Sequence, residues 1–292
     1  MDYLSVKDLA VKWDLSERMV RRYCEEGRVE GAFMENNRWL IPVHLPKPRR
    51  LPSPPRISSD LKQRLKGEKD RMILGGIYHH LMTDFTYSSC AMDGGSLSLS
   101  QVKEIFENNR LNTFGESVKV DDIIEVSNHF RCIDMMIDHC DSVLNQETIK
   151  QLHVILKVCT SVSWNPWYQV GEYTSGILGL GGNEDITDRM RKLVNSYNRK
   201  KEKTLEDIVD LFAGMIRIHP FRDSNGRIAR LIAFKECLKN NYLPFIIDTD
   251  TRDDFNGALI QYELDPSLLM EVCVASQEKL KAVLDGFGII YD

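Results

Sequence analysis

The stretch HPFRDSNGRIAR, His219–Arg230, decides how this chain is read. It follows the apolar, helix-like run LEDIVDLFAGMIRI, Leu205–Ile218. Asp223-Ser224-Asn225-Gly226 is rich in residues that cap helix N-termini, so a helix is expected to start there. A helix start offers backbone N–H groups without intrahelical partners and the positive end of a dipole, which suits an anion. Arg227 and Arg230 are three apart and share one face of that helix. Two guanidinium forks beside such a terminus suit a chain of phosphates. Asp223 supplies the hard oxygen that Mg2+ takes when it sits on a nucleotide. His219, at the end of the preceding helix, is the natural general base, because a free imidazole titrates near neutrality. Pro220 fixes the turn and Phe221 anchors it. A Walker phosphate loop and a hydrolase nucleophile elbow are both excluded, because their motifs are absent.

Outward from this turn the chain reads as helical. Apolar residues recur at helical spacing over 59–82, 99–110, 122–141, 146–159, 184–198, 204–218, 225–240 and 265–283. Ser98 and Gln101 form a capping box. The stretch YQVGEYTSGILGLGGNED, 168–185, breaks the period and reads as a β-hairpin or irregular flap. Trp164, Trp167 and Tyr168, just before it, are expected in the core.

HPFRDSNGRIAR resembles the Fic family signature, HxFx(D/E)GNGRxxR, and the resemblance extends in helical layout over most of residues 59–285. It implies a mainly α fold: an all-helical core with a β-hairpin flap. It also implies a protein adenylyltransferase, which moves AMP from ATP to a Ser, Thr or Tyr hydroxyl of a protein and releases pyrophosphate. The chain itself is among the candidate targets. Carried over by position, His219 deprotonates the hydroxyl and Asp223 holds Mg2+ on the α- and β-phosphates. Asn225 and the backbone of Ser224 and Gly226 cradle the phosphates. Arg227 and Arg230 bind the β- and γ-phosphates. A related branch transfers the γ-phosphate and has Lys where this chain has Gly226, so the sequence sides with AMP transfer. Ser224 departs from the family Gly. If that position needs a positive φ, Ser costs on the order of 1 kcal/mol there.

The resemblance implies two more features. Many Fic proteins carry an inhibitory helix, (S/T)xxxEGN, whose Glu pairs with the second motif Arg and blocks ATP. The similar stretch here is SSCAMDGG, with Ser89 and Asp93 as the inhibitory pair. Asp is a methylene shorter than Glu, so its pair with Arg230 is expected to be strained or absent, and the brake weak. Equally, the stretch reads as a plain Gly-terminated helix end. The flap, 171–182, would pair by main-chain hydrogen bonds with an extended stretch of the target protein. Phe255 stands where related proteins often carry Tyr and is given no role.

The N-terminal stretch contains two short helices joined by a tight turn, followed by a hairpin. Ser5 and Asp8 are read as a capping box and Ser16 as an N-cap, with Gly27 ending the second helix. Val6, Leu9, Ala10, Trp13, Met19, Val20 and Tyr23 are the expected core. Over about 42 residues the layout resembles excisionase-like winged helix-turn-helix domains, in which the second helix enters the DNA major groove. That implies DNA contacts by Arg18, Arg21, Arg22 and Arg38; a protein-docking module is the other reading.

Six of the ten prolines fall between Pro42 and Pro55, in a stretch too stiff and extended to build a core. The expected organisation is therefore a winged helix-turn-helix domain over 1–44, a linker over 45–57 and a Fic domain over 58–292. Residues 1–56 carry 11 Lys+Arg against 8 Asp+Glu, and the remainder 27 against 35, so a head of +3 joins a body of −8. A charge of +3 is small for phosphate neutralisation, so specific DNA binding points to a homo-oligomer. Seven scattered cysteines without CxxC spacing argue against a disulfide framework or a zinc site and fit a reducing cytoplasm. No apolar run is long enough to span a bilayer, and no secretory signal is seen. Two functions stay open: a Mg2+- and ATP-dependent adenylyltransferase, or a DNA-binding regulator whose degenerate Fic domain only senses nucleotide.

Overall fold

The computed structural model describes residues 3–25, 28–35, 38–48, 60–113, 115–174 and 185–289. The chain divides into two compact units, Met1–Pro52 and Ser53–Asp292. The division falls within the proline-rich stretch, of which residues 49–59 lie outside the described ones.

The first unit holds β1 (Tyr3–Leu4), α1 (Val6–Trp13), α2 (Glu17–Glu25), β2 (Phe33–Glu35) and β3 (Arg38–Pro42). Ser5 caps α1, its Oγ accepting from the Asp8 N–H at 3.3 Å. The return bond of a capping box is replaced by a hydroxyl-to-carboxylate bond from Ser5 to Asp8 at 2.6 Å. Asp14 ends α1 in the left-handed region, with φ 52°. Ser16 Oγ accepts from the Met19 N–H at 3.3 Å. β2 and β3 pair antiparallel with Glu35 opposite Arg38, and β1 lies on the other side of β3. Gly27 and the Asn36-Asn37 turn lie outside the described residues. Val6, Leu9, Ala10, Trp13, Val20 and Tyr23 are buried as expected; Cys24, Val29 and Ile41 complete the core, and Met19 packs at its edge. Arg18, Arg21, Arg22 and Arg38 are all exposed, with Arg21 paired to Glu17 one turn away at 2.8 Å.

The second unit is helical. It comprises α3 (Asp60–Asp70), α4 (Ile77–Met92), α5 (Leu99–Asn108), α6 (Val120–Asp138), α7 (Gln146–Lys157), α8 (Ile186–Arg199), α9 (Leu205–Ile218), α10 (Asn225–Lys239), α11 (Arg252–Gln261) and α12 (Pro266–Gly286). The capping box of Ser98 and Gln101 at α5 is formed, and Thr204 with Asp207 makes another at α9. α10 is buried on every side, packed against α9, α6, α4 and α7. Its sequence, NGRIARLIAFKECLK, is apolar around most of its circumference, which is the pattern of a central helix.

Two expectations are corrected. The single helix over 59–82 is two helices, broken where Met72 and Gly75 take positive φ. Buried Glu68 accepts from the Tyr78 N–H at 2.9 Å and so caps α4 from another helix. A Cβ on Gly76 would lie 2.2 Å from that carboxylate, so only glycine fits the break. Second, RDDFNGALIQ forms α11, which the periodicity did not reveal. Phe255 is its anchor, buried against Phe212 with ring centroids 5.8 Å apart. None of the seven cysteines forms a disulfide, and six are buried. Among the described residues no helix is long and apolar enough to cross a membrane.

Candidate functional site

The turn between α9 and α10 sets the geometry. α9 ends on His219, which takes the left-handed region at φ 53° and leaves its imidazole exposed. Phe221 is fully buried and stacks on His153 of α7, with ring centroids 4.1 Å apart and planes 11° from parallel. Asn225 locks the turn: its Oδ1 accepts from the Phe221 N–H at 2.8 Å and its Nδ2 donates to the Phe221 carbonyl at 2.7 Å. The Asn225 side chain thus ties the start of α10 to the motif turn, and its Nδ2 has a second N–H beyond the one given to Phe221.

Ser224 is the N-cap of α10 and takes φ 64° and ψ 15°, the left-handed conformation that favours glycine. It gives no side-chain cap to the helix. Its Oγ instead accepts from Arg227 Nη2 at 2.8 Å, and its N–H is taken by Asp223 Oδ1 at 2.6 Å. The first N–H groups of α10 beyond it therefore remain as an anion nest.

Four helices bring charge to this nest. Asp93 caps the C-terminus of α4, Glu125 lies on α6, Lys157 is the last residue of α7, and Arg227 and Arg230 lie on α10. Asp93 Oδ1 accepts from Arg230 Nη2 at 2.8 Å and Asp93 Oδ2 from Arg227 Nε at 3.0 Å. Arg230 also donates to Ser89, to its Oγ at 3.0 Å and its carbonyl at 2.7 Å. Glu125 accepts from Arg227 Nη1 and from Lys157 Nζ, and Lys157 reaches Asp223 Oδ2 as well. The result is a chain of alternating charge that runs from the half-exposed Asp223 through Lys157, Glu125, Arg227 and Asp93 to the buried Arg230.

The expected strained or absent Asp93–Arg230 pair is therefore corrected: Asp93 is engaged with both arginines. Its shorter side chain suffices because Gly226 lets the helices close. A Cβ on Gly226 would lie 2.9 Å from Arg230 Nη1 and 3.0 Å from Asp93 Oδ1. α4 does end at Asp93-Gly94, and that end carries Ser89 and Asp93 onto the arginines. Lys157 and Glu125 were not expected. They lie far from the motif in sequence, and no spacing rule links them to it.

The charges shape the local chemistry. Burial pushes the Asp223 carboxyl up, but the Lys157 ammonium and the Arg227 guanidinium outweigh it and hold the group below the usual carboxylate range. Burial alone would lower Arg227, yet Glu125 and Asp93 raise it and fix its charge. Burial, with Lys157 and Arg227 nearby, holds His153 down at about 4. Burial, with Arg227 and Arg230 nearby, also holds His129, bonded to Thr86 Oγ1 at 2.9 Å, well below its ordinary value. A small cavity of about 170 Å³ opens beside the chain, lined in part by Tyr87, Lys119, Asp93, Glu125, Asp223 and Arg227. Ligand pockets commonly measure about 300–1,000 Å³, so the arginine face is closed by its own carboxylates.

The root of the flap is tied to the turn. The Thr174 N–H donates to the Pro220 carbonyl at 2.9 Å, and the Gly171 N–H donates to His153 Nδ1 at 2.8 Å. Residues 175–184, most of the expected hairpin, lie outside the described residues. Trp164 and Trp167, expected in the core, are 79% and 80% exposed. Their loop is held by polar bonds, Ser161 to Asp121 and Trp167 N–H to Asn165, so the indoles are not needed for packing. Among the described residues no group of three His, Cys, Asp or Glu could hold a metal ion by itself.

Residues 143–236 match the Fic/DOC family. The protein adenylyltransferase fic-1 of Caenorhabditis elegans is 20% identical over 181 residues, which cover 60% of this chain and 35% of that protein. The chain thus spans about a third of the length of the curated relatives it matches. A Fic domain containing signaling protein from Bacteroides thetaiotaomicron superposes with a TM-score of 0.58 at 21% identity, over 77% of this chain and 92% of that one. A fragment of C. elegans Fic-1 superposes with a TM-score of 0.61 at 18% identity, over 78% and 70%. At these identities the structures speak for the shared helical fold. The motif turn, the nest at the start of α10 and both motif arginines fall inside the residues that match the Fic/DOC family, whereas Asp93 and Glu125 fall outside them.

Proposed function

We propose that this chain is a protein adenylyltransferase that moves AMP from ATP to a Ser, Thr or Tyr hydroxyl of a protein, itself included among the targets. The observation that carries this reading is the exposed His219 imidazole on a turn whose next residues form an open helix start flanked by Arg227 and Arg230. In the reaction the N–H groups of α10 and the two guanidiniums receive the phosphates. His219 takes the proton of the incoming hydroxyl as its oxygen bonds to the α-phosphorus. The bond from that phosphorus to the β-phosphate oxygen breaks, and pyrophosphate leaves. Catalysis by positioning and fixed charge suffices for such a step.

Asp223 is the carboxylate that would hold Mg2+: it is half exposed, and its Oδ2, which is on Lys157, is the oxygen the ion would need. Mg2+ on a nucleotide needs only one or two protein carboxylates. When bound, the ion neutralises charge on the phosphates. Asp93 and Ser89 form the brake in this reading, since they hold the donors that β- and γ-phosphates need. Basal activity is expected to be low.

The test is label transfer with purified protein, Mg2+ and ATP labelled at the α- or the γ-phosphate. The expected result is label from the α-position only, raised severalfold in Asp93→Ala and lost in His219→Ala. Label from the γ-position alone moves the chain to phosphotransfer. No label in Asp93→Ala, with cell extract supplying targets, favours the nucleotide-sensing regulator. For the first unit we propose DNA binding through Arg18, Arg21, Arg22 and Arg38 as a dimer.

A further inference from the structure

Lys157 has no place in the family signature, yet it is the best-buried charge of the site, with its side chain 2% exposed. Its Nζ is bonded to two carboxylates from different directions, Glu125 of α6 and Asp223 of the motif turn. The other oxygen of Asp223 is taken by the Ser224 N–H at 2.6 Å, and the other oxygen of Glu125 by Arg227. Each carboxylate oxygen that faces the shared space is thus already on the ammonium.

We propose that the Lys157 ammonium is the resident cation of this site, filling the place between Glu125 and Asp223 that a divalent ion would otherwise take. The inference rests on Asp223 being the phosphate-side carboxylate of the proposed function. Holding the largely buried Glu125 beside the half-exposed Asp223 needs a positive charge between them. A Lys supplies one charge without coordination geometry, whereas Mg2+ requires Asp223 Oδ2 free and pays to shed water. Lys157 cannot swing into solvent without stripping the Oε1 of Glu125 of its cation, because Arg227 holds only the other oxygen. Its ammonium therefore competes directly with metal at Asp223, and an incoming nucleotide meets a fixed protein cation there. The loss of Lys157 would leave a two-carboxylate cation site.

The competition is measured without nucleotide, by Mn2+ titration followed by electron paramagnetic resonance on the full chain. Wild type is expected to take up Mn2+ only weakly, and Lys157→Met at least tenfold more tightly, with the gain abolished in Lys157→Met/Asp223→Asn. Equal Mn2+ affinity in wild type and a folded Lys157→Met overturns the proposal. Wild type alone also decides it should Lys157→Met fail to fold: tight stoichiometric Mn2+ uptake that Asp223→Asn removes overturns it, and weak uptake unchanged by Asp223→Asn is the expected result. A failure of ATP binding or of AMP transfer would count against the proposed function while leaving these Mn2+ affinities readable.

Discussion

At the residue scale, Ser224 sets two effects of similar size against each other. Its left-handed φ of 64° costs a non-glycine residue about 1–2 kcal/mol. Its Oγ returns a buried hydrogen bond to the charged Arg227 at 2.8 Å, the kind worth about 1.5–3 kcal/mol. Ser224→Gly removes both and is expected to change stability by less than about 1 kcal/mol. Ser224→Ala keeps the backbone cost and strips an acceptor from Arg227, so it is expected to destabilise by about 1–3 kcal/mol. Urea denaturation of the two variants decides the matter. Equal losses in both would mean that the left-handed conformation costs Ser224 little and that the hydroxyl accounts for the whole loss.

At the scale of elements, α7 and α6 each bury a histidine against the guanidinium end of α10, and both imidazoles are held neutral. A group whose folded pKa lies below its unfolded value near 6.5 stabilises fully above that value and loses the contribution as pH falls. For His153, lowered to about 4, the window is pH 6.5 down to 4. Linkage then gives about 2 kcal/mol lost between pH 7 and 5 for that residue. Stability measured by urea unfolding is expected to fall over this range, and His153→Gln to flatten the fall. A flat profile in wild type would show that neither imidazole is protected. These pairings also mark the limit of what could be read beforehand. The motif, its capping run and the helical period announced the turn, the central helix and most of the helices. Lys157 and Glu125 were invisible because their meeting depends on how α6 and α7 cross α10, which no local spacing encodes. The α3–α4 break was equally hidden, since it rests on Glu68 capping a helix ten residues ahead. The α11 segment escaped because a ten-residue helix with a central Gly and little apolar face lacks a periodic signal.

At the scale of the whole molecule, the charge asymmetry predicts different partners for the two units. The first unit is the basic one, and α2 and β3 place Arg18, Arg21, Arg22 and Arg38 on its surface while the core residues face inward. Each phosphate neutralised on duplex DNA contributes about −0.9 to the slope of log affinity against log salt. Four arginines per copy in a dimer therefore predict a slope of about −7 if all of them reach phosphate. Arg18→Glu with Arg38→Glu is expected to abolish binding in a gel-shift titration, since it both removes contacts and adds repulsion. The acidic second unit, at −7, opposes non-specific association, so binding should collapse between about 50 and 200 mM salt unless the sequence is specific. Binding that is indifferent to salt, or intact in the double variant, would assign the arginine face to protein docking instead.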